Sequence, residues 1–154
     1  MTGPTPDETR AMRRIIREAL DASTEPGKAG ISAALLRDGE VIASGSNHVH
    51  LQTDPTRHAE IVALGRAASR LGRPDLSDCT LLSTLQPCEM CLAAARFAGI
   101  GRVVFAARKS RVAAKYFAFG HLELADFQGD PPQFDCLGGC MEDEVLHLYA
   151  DGRE

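Results

Sequence analysis

Apolar residues first recur at helical spacing near the start of the chain, where Met12, Ile15, Ile16, Ala19 and Leu20 share one face. Thr5-Pro6-Asp7-Glu8 stands ahead of them. Threonine can cap, proline suits the first helical position, and Glu8 can close a capping box. This predicts a helix running to about residues 21–23, with Glu25-Pro26-Gly27 as the loop that follows. The pattern then shortens to two apolar runs, 31–36 and 41–44, joined through Asp38-Gly39. Asp-Gly favours a two-residue hairpin turn, because both central residues need positive φ. Residues 46–55 are polar and read as a loop carrying Asn47, His48 and His50. Helical spacing returns over 57–71, with Ile61, Leu64, Ala68 and Leu71 inward and Thr56 or Asp54 as the cap. Residues 79–85 and 102–107 are nearly continuous apolar runs, as in strands buried on both faces. Between them, 88–98 reads as a helix entered from Pro87 and stopped by Gly99. The remainder predicts a short helix at 111–119, a long connection at 121–132, a last strand at 133–137 and a helix over 140–150. Alternating helices and strands after a hairpin imply an α/β layered fold with part of the sheet parallel.

The chain has 154 residues, enough for one domain with a full core and no need of disulfides. No apolar run approaches the roughly 18 residues of a membrane span, and the N-terminal stretch has neither a basic n-region nor an apolar h-region. The expected setting is cytoplasmic. Five cysteines suit a reducing compartment, with Cys79, Cys136 and Cys140 as small buried residues. A formal charge of −4 argues against a protein whose main ligand is nucleic acid. Two basic groups stand against that balance. Arg10, Arg13, Arg14 and Arg17 share a helical face that reads as solvated, and Arg108, Lys109, Arg111 and Lys115 follow a predicted strand.

Two short stretches carry the chemistry: His58-Ala59-Glu60 and Pro87-Cys88-Glu89-Met90-Cys91. One imidazole and two thiols suit a tetrahedral zinc whose fourth position stays open, and Glu60 sets a carboxylate beside it. A C-x-x-C pair can also serve redox exchange, but the His-x-Glu makes Zn²⁺ the better reading of Cys88 and Cys91. Proline before Cys88 places that thiol at a helix N-terminus, where the dipole favours thiolate. Residues two apart in a helix point about 200° apart, so His58 and Glu60 can share a site only near a helix end. A purely structural zinc knot is disfavoured, since only three good ligands stand beside that carboxylate. Phe119 and His121 either stack on a flat ligand or complete the core, while Phe117 reads as core. Asn47 either caps a turn or binds substrate.

H-x-E followed by P-C-x-x-C is the zinc deaminase signature. Together with TLQPCEMC and the GRVVFAA strand after Gly99, it makes the chain resemble the cytidine deaminase-like superfamily, in the branch of cytosine deaminase, guanine deaminase and tRNA adenosine deaminase. The resemblance implies a three-layer α/β/α sandwich around a five-stranded mixed sheet, formed by one zinc-dependent deaminase domain over 1–154. It implies His58, Cys88 and Cys91 as metal ligands, Glu60 as the proton shuttle, Asn47 as a contact to the substrate base, and a homodimer. Gln86 departs from the Glu or Ser common before Pro-Cys, and the acidic tail at Glu142-Asp143-Glu144 lacks the basic ending of tRNA deaminases. The expected activity is therefore hydrolytic deamination of a free nucleobase or related small heterocyclic base, with a nucleic-acid partner disfavoured. The alternative is adenosine-to-inosine deamination of tRNA, and a third reading is a zinc-stabilised binding module without turnover.

Overall fold

The computed structural model describes residues 3–26 and 30–152; Gly27, expected in the loop after the first helix, lies outside them. Helix α1 (Pro6–Ala22) begins as the sequence predicts. Thr5 Oγ1 accepts from Glu8 N–H and Glu8 Oε1 accepts from Thr5 N–H, closing the capping box. Strands β1 (Ser32–Arg37) and β2 (Glu40–Ser46) form an antiparallel hairpin, and Asp38 and Gly39 both take positive φ at its turn. A short helix α2 (Val49–Gln52) occupies the stretch expected as loop, and α3 (Ala59–Leu71) follows. Then come β3 (Thr80–Leu85), α4 (Glu89–Phe97) and β4 (Arg102–Ala107). The C-terminal part adds α5 (Leu124–Gln128), β5 (Asp135–Leu137) and α6 (Leu146–Tyr149).

The five strands form one mixed sheet in the order β2-β1-β3-β4-β5, in which β2–β1 and β1–β3 are antiparallel and β3–β4 and β4–β5 parallel. Side chains alternate across it, so each central strand feeds two cores. Ala34, Leu36, Leu82 and Val104 pack with Met12, Ile15 and Ile16 of α1 and with Val145 and Tyr149 near the C-terminus. Leu35, Leu81, Val103 and Phe105 pack on the opposite face with Ala63 and Ala67 of α3 and Leu92 and Ala95 of α4. That two-sided burial is why β3 and β4 read as unbroken apolar runs. Close approach of α3 to β2 depends on Gly45, where a Cβ would lie 2.6 Å from the Ala59 carbonyl oxygen. No helix among the described residues is long and apolar enough to cross a membrane.

Several expected elements differ. The helix predicted over 111–119 is two 3₁₀ turns, Lys109–Arg111 and Ala114–Tyr116, separated by extended backbone at Val112 and Ala113. Ala113 N–H is drawn to the Tyr149 carbonyl (3.0 Å), a tertiary bond that replaces the helical one. The helix predicted over 140–150 is likewise broken into a 3₁₀ turn, Glu142–Glu144, and α6, because Glu142 turns inward to meet Arg108 and Arg111. The predicted connection at 121–132 contains α5, opened by a capping box between Glu123 and Asp126. In α3 the buried set is Ala59, Val62, Ala63, Leu64 and Ala67, so the inward face is rotated from the predicted one, and Ile61, Ala68 and Leu71 are only half-buried. Asp54 does not cap α3; it accepts from Thr56 N–H and Oγ1–H in a local turn.

Candidate active site and metal centre

Two helix N-termini converge beside the C-terminal end of β3. His58 is the N-cap of α3, with φ −63° and ψ 158°, so its backbone is extended and its ring lies outside the helical rotation. The sequence places it in the first turn; one position earlier frees it to share a site with Glu60. Cys88 is the N-cap of α4 (φ −68°, ψ 175°), which makes Cys91 its N3 residue. An N-cap side chain naturally meets N3, and this is why C-x-x-C at a helix entry brings two sulfurs together. The Cys88 and Cys91 Sγ atoms are 3.7 Å apart, and His58 Nδ1 lies 3.5 Å from Cys88 Sγ and 3.7 Å from Cys91 Sγ. Ligands about 2.3 Å (sulfur) and about 2.0 Å (nitrogen) from a tetrahedral zinc lie roughly 3.8 Å and roughly 3.5 Å from one another. The triangle of donors therefore fits the ion. Among the described residues this is the only such group of three His, Cys, Asp or Glu side chains.

The electrostatics agree with a cation site. Cys88 is pulled down to about 4, first by the hydrogen bond from the Cys91 thiol and then by His58, against the opposing effect of burial. Cys91 is correspondingly raised by that same bond and by burial, and His58 is raised by its contact with the Cys88 sulfur. A half-buried thiolate at a helix N-terminus, beside an imidazole, suits a cation. Glu60, buried in the first turn of α3, is pushed up to about 7, first by burial and then by the charge of Cys88.

A cavity of about 190 Å³ opens beside these groups, bordered by His58, Glu60 and Cys88. Asn47 joins its rim; Oδ1 accepts from Val49 N–H (2.9 Å), which leaves the amide N–H₂ as its free hydrogen-bonding end. Sequence reasoning missed three of the walls, Ile31, Leu85 and Tyr116, whereas Lys115 belongs to the basic group noted after the predicted strand. Only Leu85 carries a signal, its place at the carboxyl end of a buried parallel strand, where ligands of α/β sheets bind. Gln86 also borders the cavity; its Oε1 accepts from Lys109 N–H (2.9 Å), tying β3 to the segment after β4. Phe119 and His121 are not brought to the cavity. Phe119 is exposed and bonded through its N–H to Glu89 Oε1, which steers the chain outward along α4, and His121 is exposed beyond it. Phe117 is buried, as expected of a core residue.

Fold, donor triangle and adjacent carboxylate are those of the zinc-deaminase family, and the chain belongs to it: residues 5–107 match the cytidine and deoxycytidylate deaminase zinc-binding region. Among known proteins it is similar to tRNA(Ile)-lysidine synthase of Deinococcus radiodurans, at 44% identity over 122 residues, 78% of this chain and 20% of that protein. The chain thus spans about a fifth of that relative's length. It is 37% identical over 106 residues to guanine deaminase of Bacillus subtilis, covering 66% of this chain and 68% of that enzyme. A solved structure from work on tRNA:A34 deaminases, which edit A to I at the wobble position, superposes with a TM-score of 0.70 at 30% identity. That match covers 88% of this chain and 99% of the other.

Proposed function

We propose that this protein deaminates a free nucleobase or a closely related amino-substituted heterocycle, with guanine- and cytosine-type rings as the leading class. The observation that carries the choice of a small molecule over RNA is the state of the cations in the segment just after β4. Arg108 and Arg111 are both engaged by the buried Glu142 carboxylate, at 2.6 and 3.1 Å. Lys109 donates to the Gly120 and Leu122 carbonyls. A phosphate backbone needs cations that are available to it, and these are held by the chain itself. On α1, Arg10 and Arg14 are paired with Asp7 and Glu18, and Arg13 and Arg17 are exposed.

In this reading the ring lies between Ile31, Leu85 and Tyr116, with its amino-bearing carbon toward Glu60. Asn47 donates from its amide to an acceptor on the ring. Zinc, when held by His58, Cys88 and Cys91, supplies a Lewis acid that acidifies water. Glu60 takes a proton from the attacking water and delivers it to the adjacent ring nitrogen. It then takes the remaining proton from the hydroxyl added to that carbon and passes it to the departing nitrogen, so that the oxygen becomes a carbonyl in place of the amino group and ammonia leaves. A homodimer is part of the proposal, supported by Phe97, which is 94% exposed on α4.

The second reading is tRNA adenosine deamination, favoured by the tRNA-acting relatives of this chain. Ammonia release from the zinc-loaded protein separates the two. Guanine, cytosine, their nucleosides and an anticodon stem-loop are compared at two salt concentrations. Turnover of a free base that is insensitive to salt is expected; turnover of the stem-loop alone, falling steeply with salt, would establish the second reading instead.

A further inference from the structure

Tyr149 is the largest fully buried side chain described, yet it does not border the cavity. Its surroundings do. The phenol donates its single hydrogen to the Gly30 carbonyl (2.7 Å), so in the 2.8 Å contact with Thr84 Oγ1 the threonine must be the donor. Thr84 Oγ1 in turn accepts from Ser32 N–H (3.1 Å). The result is a directed chain, Ser32 N–H to Thr84 to Tyr149 to Gly30, in which each hydroxyl both donates and accepts inside the core.

This chain grips the cavity from behind at three places. Gly30 and Ser32 flank Ile31, one wall residue. Thr84 immediately precedes Leu85, a second. The Tyr149 ring stands edge-on to Tyr116, a third, with centroids 5.9 Å apart and planes at 81°. Its carbonyl also accepts from Ala113 N–H, which fixes the start of the turn that carries Tyr116. The groups that do the chemistry, His58, Glu60, Cys88 and Cys91, are held by the ends of α3 and α4 and share none of these bonds.

We infer that Tyr149 is a positioning residue for substrate binding: through the Gly30–Thr84 hydrogen bonds and the Tyr116 ring it sets the spacing of the three walls that hold the heterocycle. The inference rests on the small-base reading given above. It predicts an effect on substrate affinity separate from the chemical step.

The test is steady-state kinetics of wild type, Tyr149→Phe and Thr84→Val with guanine and cytosine, together with zinc content. Tyr149→Phe keeps the ring and removes the hydroxyl; Thr84→Val breaks the same chain from the other side. Both should raise KM several-fold, as expected where loss of uniform binding leaves kcat unchanged. The kcat should stay within about threefold of wild type, and zinc content should match it. A merely structural role would lower the active fraction, and with it apparent kcat, at unchanged KM. Unchanged KM in both variants, or loss of zinc, overturns the inference while leaving the substrate reading intact. A wild-type protein that turns over neither base sinks the substrate reading, and this inference with it.

Discussion

In the proposed reaction Glu60 has two duties, taking a proton and releasing it. Burial and a neighbouring sulfur anion raise its carboxyl to about 7. Replacing it should therefore separate metal binding from turnover. Glu60→Gln is expected to hold zinc as wild type does and to lose on the order of 10²–10⁴ in ammonia release. Cys88→Ala should instead lose the metal, leaving two of the three donors. Parallel metal analysis and activity assays check both, and near-normal activity in Glu60→Gln would remove the shuttle role. These residues were legible in the sequence because metal ligation restricts residue type and spacing together. Tyr116 and Tyr149 were not: a wall residue and the residue behind it are fixed by tertiary packing, which leaves no local spacing. Phe119 and His121 carried the right chemistry for stacking, and only the path of the chain takes them elsewhere.

At the level of elements, one residue joins the start of α1 to the start of β4. Glu8 closes the capping box and also takes Arg102, whose Nε and Nη2 donate at 2.6 and 3.0 Å. Burial acts to raise the Glu8 pKa, but the Arg102 and Thr5 hydrogen bonds outweigh it and hold the carboxyl below its ordinary 4.5. A carboxyl lowered by folding contributes stability that is full above its unfolded pKa and is lost as pH falls through the folded value. Denaturant unfolding should thus show a loss of stability beginning below about pH 4.5. Arg102→Met is expected to cost about 3 kcal/mol at neutral pH, by leaving a buried carboxylate without its cation, and to flatten that acid limb. An unchanged acid limb in the variant would assign it to other groups. The cap of α1 and the hairpin turn were plain from sequence, since both depend on neighbours a few residues apart. The segments after β4 and near the C-terminus were not, because their course follows bonds such as Ala113 to Tyr149 and Arg108 to Glu142.

At the scale of the molecule, α4 faces two ways: its buried side supports the sheet, while Phe97 at its end is exposed and Phe119 lies exposed near its start. In the proposed homodimer this surface is covered by a second copy. Phe97→Asp should then shift the protein from dimer to monomer in sedimentation equilibrium, and a wild-type monomer at micromolar concentration would exclude that arrangement. The order of elements, and hence the layered sheet, could be read from the alternation of periods. Strand order and the outer surfaces could not, since neither is encoded by local pattern. What the whole molecule does encode is a separation of parts. The candidate metal and acid-base groups hang from the ends of two helices, while the facing cavity walls Ile31, Leu85 and Tyr116 come from the residue before β1, the end of β3 and a turn after β4. Such a framework behaves like a tool with a fixed blade and an exchangeable guide. In the proposed function, changes at Ile31, Leu85 or Tyr116 would retune which ring is accepted and leave the groups at the two helix ends untouched.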